Sequence, residues 1–467
     1  MGICYDADAH FLEVIFINRK QLKLFEEYTV WHAIFAMALP SMLNILVMML
    51  YNMADMFFIG QLGDSAKVAA VSISMPVFTF LMAIGSMIGG GGCALIARTL
   101  GQKDTEKVRL YSSLCCWGGV VIGILFAVIV VLFCDPLLVL LGSNAELYAP
   151  AREYILILAL GAPAMIFTTA FSSIIRAEGA VKEGMIANLI STITNVILDP
   201  VFILFLGWGV RGAAVATVIG NTVGVCYLLW YILCKRGTLS LSFSLAASHI
   251  AAFRDIVALW LPNGISSSLN SVSSALANRL LVQYGTVAVA AMAASGKVTL
   301  VISMVQMGIC IGVQPLLAYN YGSGNLKRIQ EILRKLSLLT ITIGLAALLL
   351  CRIFSRELIH LFLKDSAALE LGVQMVRLQM MTGPFLGLYY IGSNFLQASG
   401  NASRSMFVSL LRKGIFFIPL IYVMNTCFGV SGNIWAHIIA DALSSVTGVI
   451  LMMKQYRLLA GRFASDK

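Results

Sequence analysis

Residues 39–63 read LPSMLNILVMMLYNMADMFFIGQLG, an apolar run carrying one proline, Pro40, and one charged group, Asp55. As a helix, such a run is long enough to cross about 30 Å of hydrocarbon. Its frame returns later in the chain: at a constant shift, Leu39-Pro40 fall on Leu261-Pro262 and Gly63 on Gly285. The register holds to within one position for VAAVSISMPV (68–77) on VAAMAASGKV (289–298), Gly101 on Gly322, Pro163 on Pro384 and RAEGA (176–180) on QASGN (397–401). With a little further drift, GVRGAAVA (209–216) falls on GVSGNIWA (429–436). Apolar helices resemble one another by composition, but composition does not keep Pro and Gly in step over such a distance, so the chain reads as an internal duplication.

Working outward, apolar segments near 32–60, 67–97, 112–141, 153–175, 184–207 and 212–234 are followed by six more near 256–284, 287–318, 333–362, 371–396, 406–427 and 432–454. This predicts an all-α polytopic membrane protein with twelve transmembrane helices. An even number of helices per unit makes both copies enter from the same side, which gives a parallel repeat of two six-helix lobes. The expected divisions are a leader over 1–31, a first lobe over 32–234, a linker over 235–255, a second lobe over 256–454 and a tail over 455–467.

Composition agrees: 59% of the 467 residues are hydrophobic and 12% charged, against about 25% charged in soluble proteins. A soluble enzyme is excluded on that ground. The net charge of +10 is topological, because 23 of the 32 bases fall on the termini and the even connections, Arg412 and Lys413 among them. The positive-inside rule then predicts cytoplasmic termini in a multi-pass plasma-membrane (cell inner membrane) protein. The ten cysteines have no metal-ligand spacing and read as small hydrophobes.

A charge at the centre of a span costs at least about 2.5 to 3.5 kcal/mol, which makes each one a functional candidate. Asp55, Asp199 and Asp441 are the three acids deep enough to qualify. Asn188, Thr192, Asn195 and Asp199 follow a helical period along one face of the fifth span, Thr217 and Asn221 are one turn apart on the sixth, and Asn52 and Asp55 sit together on the first. Counted at about 1.5 Å per residue, Asp55, Asp199 and Thr217 converge on one depth. Two carboxylates in low dielectric require that one be protonated or that a cation lie between them. Neighbouring oxygens from Asn195 and Thr217 suit Na+ or a proton store rather than a transition metal; the alternative is that these groups only hold helices together. Pro40 removes a backbone hydrogen bond from the first span and is either a hinge or a static kink.

The second lobe lacks this set. Asp55 falls on Ala277, Thr217 on His437 and Asp199 on Ile418. Its seventh span keeps a polar stripe of Asn263, Ser267, Asn270 and Ser274. Lys297 and Asp441 lie at similar depth, about 15 and 14 Å along their helices, and could pair, which would make Asp441 structural rather than substrate-binding; the sequence leaves this open.

No G-x-x-x-x-G-K-[ST] loop, nucleophile elbow or HExxH sequence is present, so neither an enzyme nor direct use of ATP is expected. Instead LPSMLNILVMMLYNMADMFFIGQLG (39–63), ALIARTLGQKD (94–104), IIRAEG (174–179), NVILDP (195–200) and GVRGAAVAT (209–217) resemble the multidrug and toxic compound extrusion (MATE) family, in its DinF-like branch. The resemblance implies a V-shaped, two-lobe secondary antiporter that exports organic, often cationic, compounds against Na+ or H+ by alternating access. It also implies that Asp55, Asn195, Asp199 and Thr217 form the coupling site, with Pro40 as the bending proline. The expected partners are the bilayer and small organic substrates, without nucleic acid, ATP or a cofactor, and the chain is expected to act as a monomer. Two rival readings are a lipid-linked-precursor flippase, which wants a base-lined cleft where only Arg279 and Lys297 are on offer, and a passive channel, which wants rings of like groups.

Overall fold

The computed structural model describes the backbone of residues 22–61, 64–235 and 237–465; the side chains of 49–57, 60, 65, 260, 262, 263, 266–268 and 462–465 lie outside the described part. The expected leader therefore falls mostly outside it. Among the described residues there is no strand. The helices are α1 (Val30–Gly60), α2 (Ser65–Gly101), α3 (Thr105–Leu132), α4 (Cys134–Leu140), α5 (Ala145–Leu160), α6 (Ala162–Ile174), α7 (Val181–Pro200), α8 (Val210–Cys234) and α9 (Phe243–Ser248). They continue as α10 (Phe253–Val282), α11 (Thr286–Gly322), α12 (Leu326–His360), α13 (Ser366–Gln379), α14 (Gly383–Ala398), α15 (Ala402–Leu410), α16 (Phe417–Phe428) and α17 (Val430–Ser465). Single π turns, Val201–Phe205 and Leu411–Ile415, join α7 to the connection before α8 and α15 to α16.

Among the described residues nine helices are long and apolar enough to cross a membrane, or ten if α5 and α6 with the turn after it, bent by 55°, form one span. The chain is a multi-pass membrane protein. The single helix expected near 153–175 is instead broken at Gly161, because Pro163 at the start of α6 donates no backbone hydrogen bond. The helix expected near 371–396 breaks in the same way at Met380–Thr382, just before Pro384.

The duplication is written in backbone detail. Phe133 (φ −112°, ψ 25°) ends α3, and its counterpart in the repeat, Phe354 (φ −103°, ψ 18°), kinks α12. Asp104 caps α3 by accepting from Lys107 N at 3.1 Å, and Asn325 caps α12 by accepting from Arg328 N at 3.1 Å. Asn144 and Asp365 do the same for α5 and α13, accepting from Leu147 N and Ala368 N at 3.0 Å each. The Lys107 ammonium beside Asp104 also holds that exposed carboxyl below the usual carboxylate range.

Glycines repeat for two separate reasons. Gly209 (φ 52°) and Gly429 (φ 56°) adopt the left-handed backbone that starts α8 and α17, a conformation open to glycine at little cost. Three positions later, a Cβ on Gly212 would meet the Phe202 carbonyl carbon at 2.7 Å, and one on Gly432 would overlap the Met424 carbonyl oxygen. Close helix packing recurs as well: a Cβ on Gly123 would meet Pro163 Cα at 2.7 Å, and one on Gly344 would meet Pro384 N at 2.6 Å. The small-residue stretch of α2 serves this purpose too, since Gly89 lies against the Ala170 backbone of α6.

The chain divides into two compact units: Leu43–Val257, with the residues up to Tyr28, and Ala258–Lys467, with Thr29–Met42. The first division after the start of α1 therefore falls just past Pro40, between Met42 and Leu43. The segment expected as a linker, 235–255, is part of the first unit. There the buried Glu178 carboxylate accepts from Thr238 N and Oγ1 at 2.5 Å each and from Leu239 N at 3.2 Å. Ser112 and Ser113 both donate to Ser240 O, and Trp117 Nε1 donates to Leu241 O at 3.0 Å.

Candidate cation site

In the first unit α7 and α8 pack so closely that a Cβ on Gly220 would lie 2.6 Å from Ser191 O and 3.1 Å from Asn195 Cβ. This approach brings three predicted residues together. Asn195 Nδ2 donates to Asp199 Oδ1 and to Thr217 Oγ1, both at 3.3 Å, with Asn195 2%, Asp199 0% and Thr217 1% exposed. The i, i+4 spacing puts Asn195 and Asp199 on one face of α7, and the missing side chain at Gly220 lets Thr217 of α8 reach them. Asp199 and Pro200 close α7, and the π turn begins at Val201, where Leu206 N reaches back to Val201 O at 2.9 Å. Pro200 has no N–H to give the preceding turn, and π turns of this kind are common beside functional sites.

With its amide nitrogen engaged by two partners, Asn195 leaves Oδ1 without a hydrogen-bond partner among the described residues. An orphaned buried carbonyl beside a carboxylate and a hydroxyl is an all-oxygen donor set, suited to a hard monovalent cation or to a proton on the carboxylate. Among the described residues no group of three or more His, Cys, Asp or Glu could hold a metal ion. Asn52 and Asp55 belong to α1, but their side chains lie outside the described part, so the first-span contribution is not seen.

Other sequence candidates are elsewhere. Asn221 turns back on its own helix, donating from Nδ2 to Thr217 O at 2.9 Å, while its backbone carbonyl accepts from Thr168 Oγ1 at 2.9 Å. Asn188 is half-buried, further along α7 toward its start, and Asn270 is exposed on α10.

Lys297 and Asp441 do not pair. Lys297 lies over the Phe362 ring at 5.4 Å, and Asp441 is ion-paired with Arg412, Nε to Oδ1 at 2.7 Å. Equal depth fixes distance along the membrane normal but not the angle around the helix. Arg412 and Lys413 both sit inside the π turn, within a helical segment from Ala402 to Phe428 that is long and apolar enough to cross a membrane. Their signal was present in the sequence, since a run of apolar or small residues, Gly414 to Pro419, follows them before the segment ends. Counting bases by face hid it.

The MatE family model matches twice, over residues 40–201 and 262–423, together more than two thirds of the chain, and the two matches start on the aligned prolines of the repeat, Pro40 and Pro262. The multidrug export protein MepA of Staphylococcus aureus (strain MRSA252) is 29% identical over 433 residues, covering 93% of this chain and 96% of the relative. MepA of Staphylococcus saprophyticus is 29% identical over 448 residues, covering 96% and 98%. Among solved structures, a MATE protein in the bent conformation superposes with a TM-score of 0.89 at 22% identity, covering 95% of this chain and 99% of that one. An outward-facing multidrug resistance MATE transporter gives 0.86, also at 22% identity, covering 94% and 98%. Matched in both halves, and aligned nearly end to end with these relatives, the chain belongs to the MatE family.

Proposed function

We propose that this chain is a cation-coupled exporter of organic compounds, working as a monomer without a cofactor, with twelve spans in two lobes and both termini in the cytoplasm. Na+ or H+ neutralises the carboxylates of Asp55 and Asp199, helix α1 rearranges about Pro40, and substrate leaves outward before the lobes return. The observation that carries this reading is the buried Asp199 carboxylate, hydrogen-bonded to Asn195, which also reaches Thr217, in a chain whose relatives are named multidrug export proteins. The division of α1 just past Pro40 supports the hinge, because the parts of one helix on either side of that proline belong mainly to different units. Coupling requires only that the cation bind one conformation better than the other, since equal binding shifts no equilibrium.

Ethidium uptake into inverted membrane vesicles tests this, under an imposed Na+ gradient with and without a protonophore. Asp55→Asn and Asp199→Asn are each expected to lower gradient-driven uptake by about 100-fold, roughly 2.7 kcal/mol of lost coupling, with the protein still in the membrane. Wild-type rates in both variants would refute the reading.

A further inference from the structure

The second unit holds a charge cluster for which coupling at Asp199 has no use. Arg412 and Lys413 are consecutive residues of the π turn, where Phe416 N reaches back to Leu411 O at 2.9 Å. Arg412 spends its charge on Asp441 and stacks its guanidinium 4.4 Å from the centre of the Tyr389 ring. Lys413 is half-buried, and its ammonium lies 5.9 Å from the Phe417 ring centre. Among the described residues no carboxylate is within ion-pair distance of Lys413, and Asp441 is already taken. Its backbone is also pinned, since Ser273 Oγ donates to Lys413 O.

Two bases against one acid leave an excess positive charge at mid-span. Lys413 is about 16 Å, counted along the helix rise, from the nearer end of the apolar segment Ala402–Phe428. An uncompensated charge inside a span is costly, and it is relieved by loss of the proton or by a bound anion. The surroundings are aromatic, with Tyr389, Tyr390, Phe417 and His437 near the two bases, His437 stacking on Phe417 at 4.2 Å. We infer that Lys413, braced by the Arg412–Asp441 pair, binds the carboxylate of an amphipathic organic anion within the second unit. This site goes beyond cation coupling and does not depend on it.

The test is equilibrium binding of carboxyfluorescein to the purified full-length protein in detergent and gluconate buffer, followed by fluorescence anisotropy, with ethidium binding as the control. Benzoate is expected to displace carboxyfluorescein. Lys413→Gln is expected to weaken binding about tenfold or more, the loss of one charge-assisted hydrogen bond, while Lys413→Arg stays within about threefold and ethidium is unaffected by either. In the unmutated protein, which removes any question of folding, benzoate is expected to protect Lys413 from acetylation by acetic anhydride, read by peptide mass. Carboxyfluorescein binding as tight in Lys413→Gln as in wild type would overturn the site. So would failure of benzoate to protect Lys413, or displacement of the dye by phosphatidylglycerol micelles and not by benzoate, which would assign the charge to lipid.

Discussion

The two units share a backbone plan and differ in the sign of their interior. Kinks at Phe133 and Phe354, caps at Asp104 and Asn325, and the left-handed glycines 209 and 429 recur at nearly one spacing. Within the spans, however, the described side chains of the first unit include the acid Asp199, which accepts from Asn195. Those of the second include Arg412 and Lys413 against Asp441. Duplicated geometry therefore does not carry duplicated chemistry. Positions fixed by backbone demands were kept, while the positions projecting into each unit's interior diverged.

The largest expected effect sets the two buried acids against each other. Asp441→Asn leaves Arg412 buried without its counter-charge and is expected to cost about 3 to 5 kcal/mol, read as a fall in thermal unfolding temperature in detergent. The paired change Arg412→Met with Asp441→Leu should recover most of that loss. Asp199→Asn keeps an acceptor oxygen for Asn195 Nδ2 and is expected to hold its unfolding temperature while losing transport. Equal stability losses at both acids would break the contrast.

Next come the glycines of the repeated GVxG turn. Alanine at Gly432 or Gly212 is expected to cost about 1 to 3 kcal/mol by overpacking. Gly432→Ala should be the worse of the two, because its Cβ would overlap a backbone oxygen, whereas the nearest atom at Gly212 is 2.7 Å away. The same unfolding assay ranks them. The smallest effect is at the caps, where Asp104→Ala and Asn325→Ala should each lower the unfolding temperature only slightly, Asp104→Ala a little more because it also removes the pair with Lys107.

The repeat was legible in the sequence because Pro and Gly answer to backbone geometry and keep their register. The break at Phe133 had a signal in Pro136, which cannot donate to Leu132 O, whereas Phe354 has Glu357 at the equivalent position and no breaker nearby. Asn195, Asp199 and Thr217 could be grouped because i, i+4 spacing on α7 and the glycine-rich start of α8 define both a face and a neighbour. Depth alone was enough to match Lys297 with Asp441 and not enough to make them touch. Arg412 was missed because a base beside another base looks like a cytoplasmic anchor until the length of apolar chain on both sides is weighed.

The way the chain passes between its units has a mechanical meaning. One passage lies at Met42/Leu43 inside α1 and another at Val257/Ala258 inside α10, while the 235–255 segment that looked like a slack tether is fastened along the first unit by Glu178, Ser112, Ser113 and Trp117. A loop joining two bodies resists nothing over small displacements. A helix resists bending, so in the proposed exporter these two passages would act as leaf springs, with Pro40 two residues before the division in one of them.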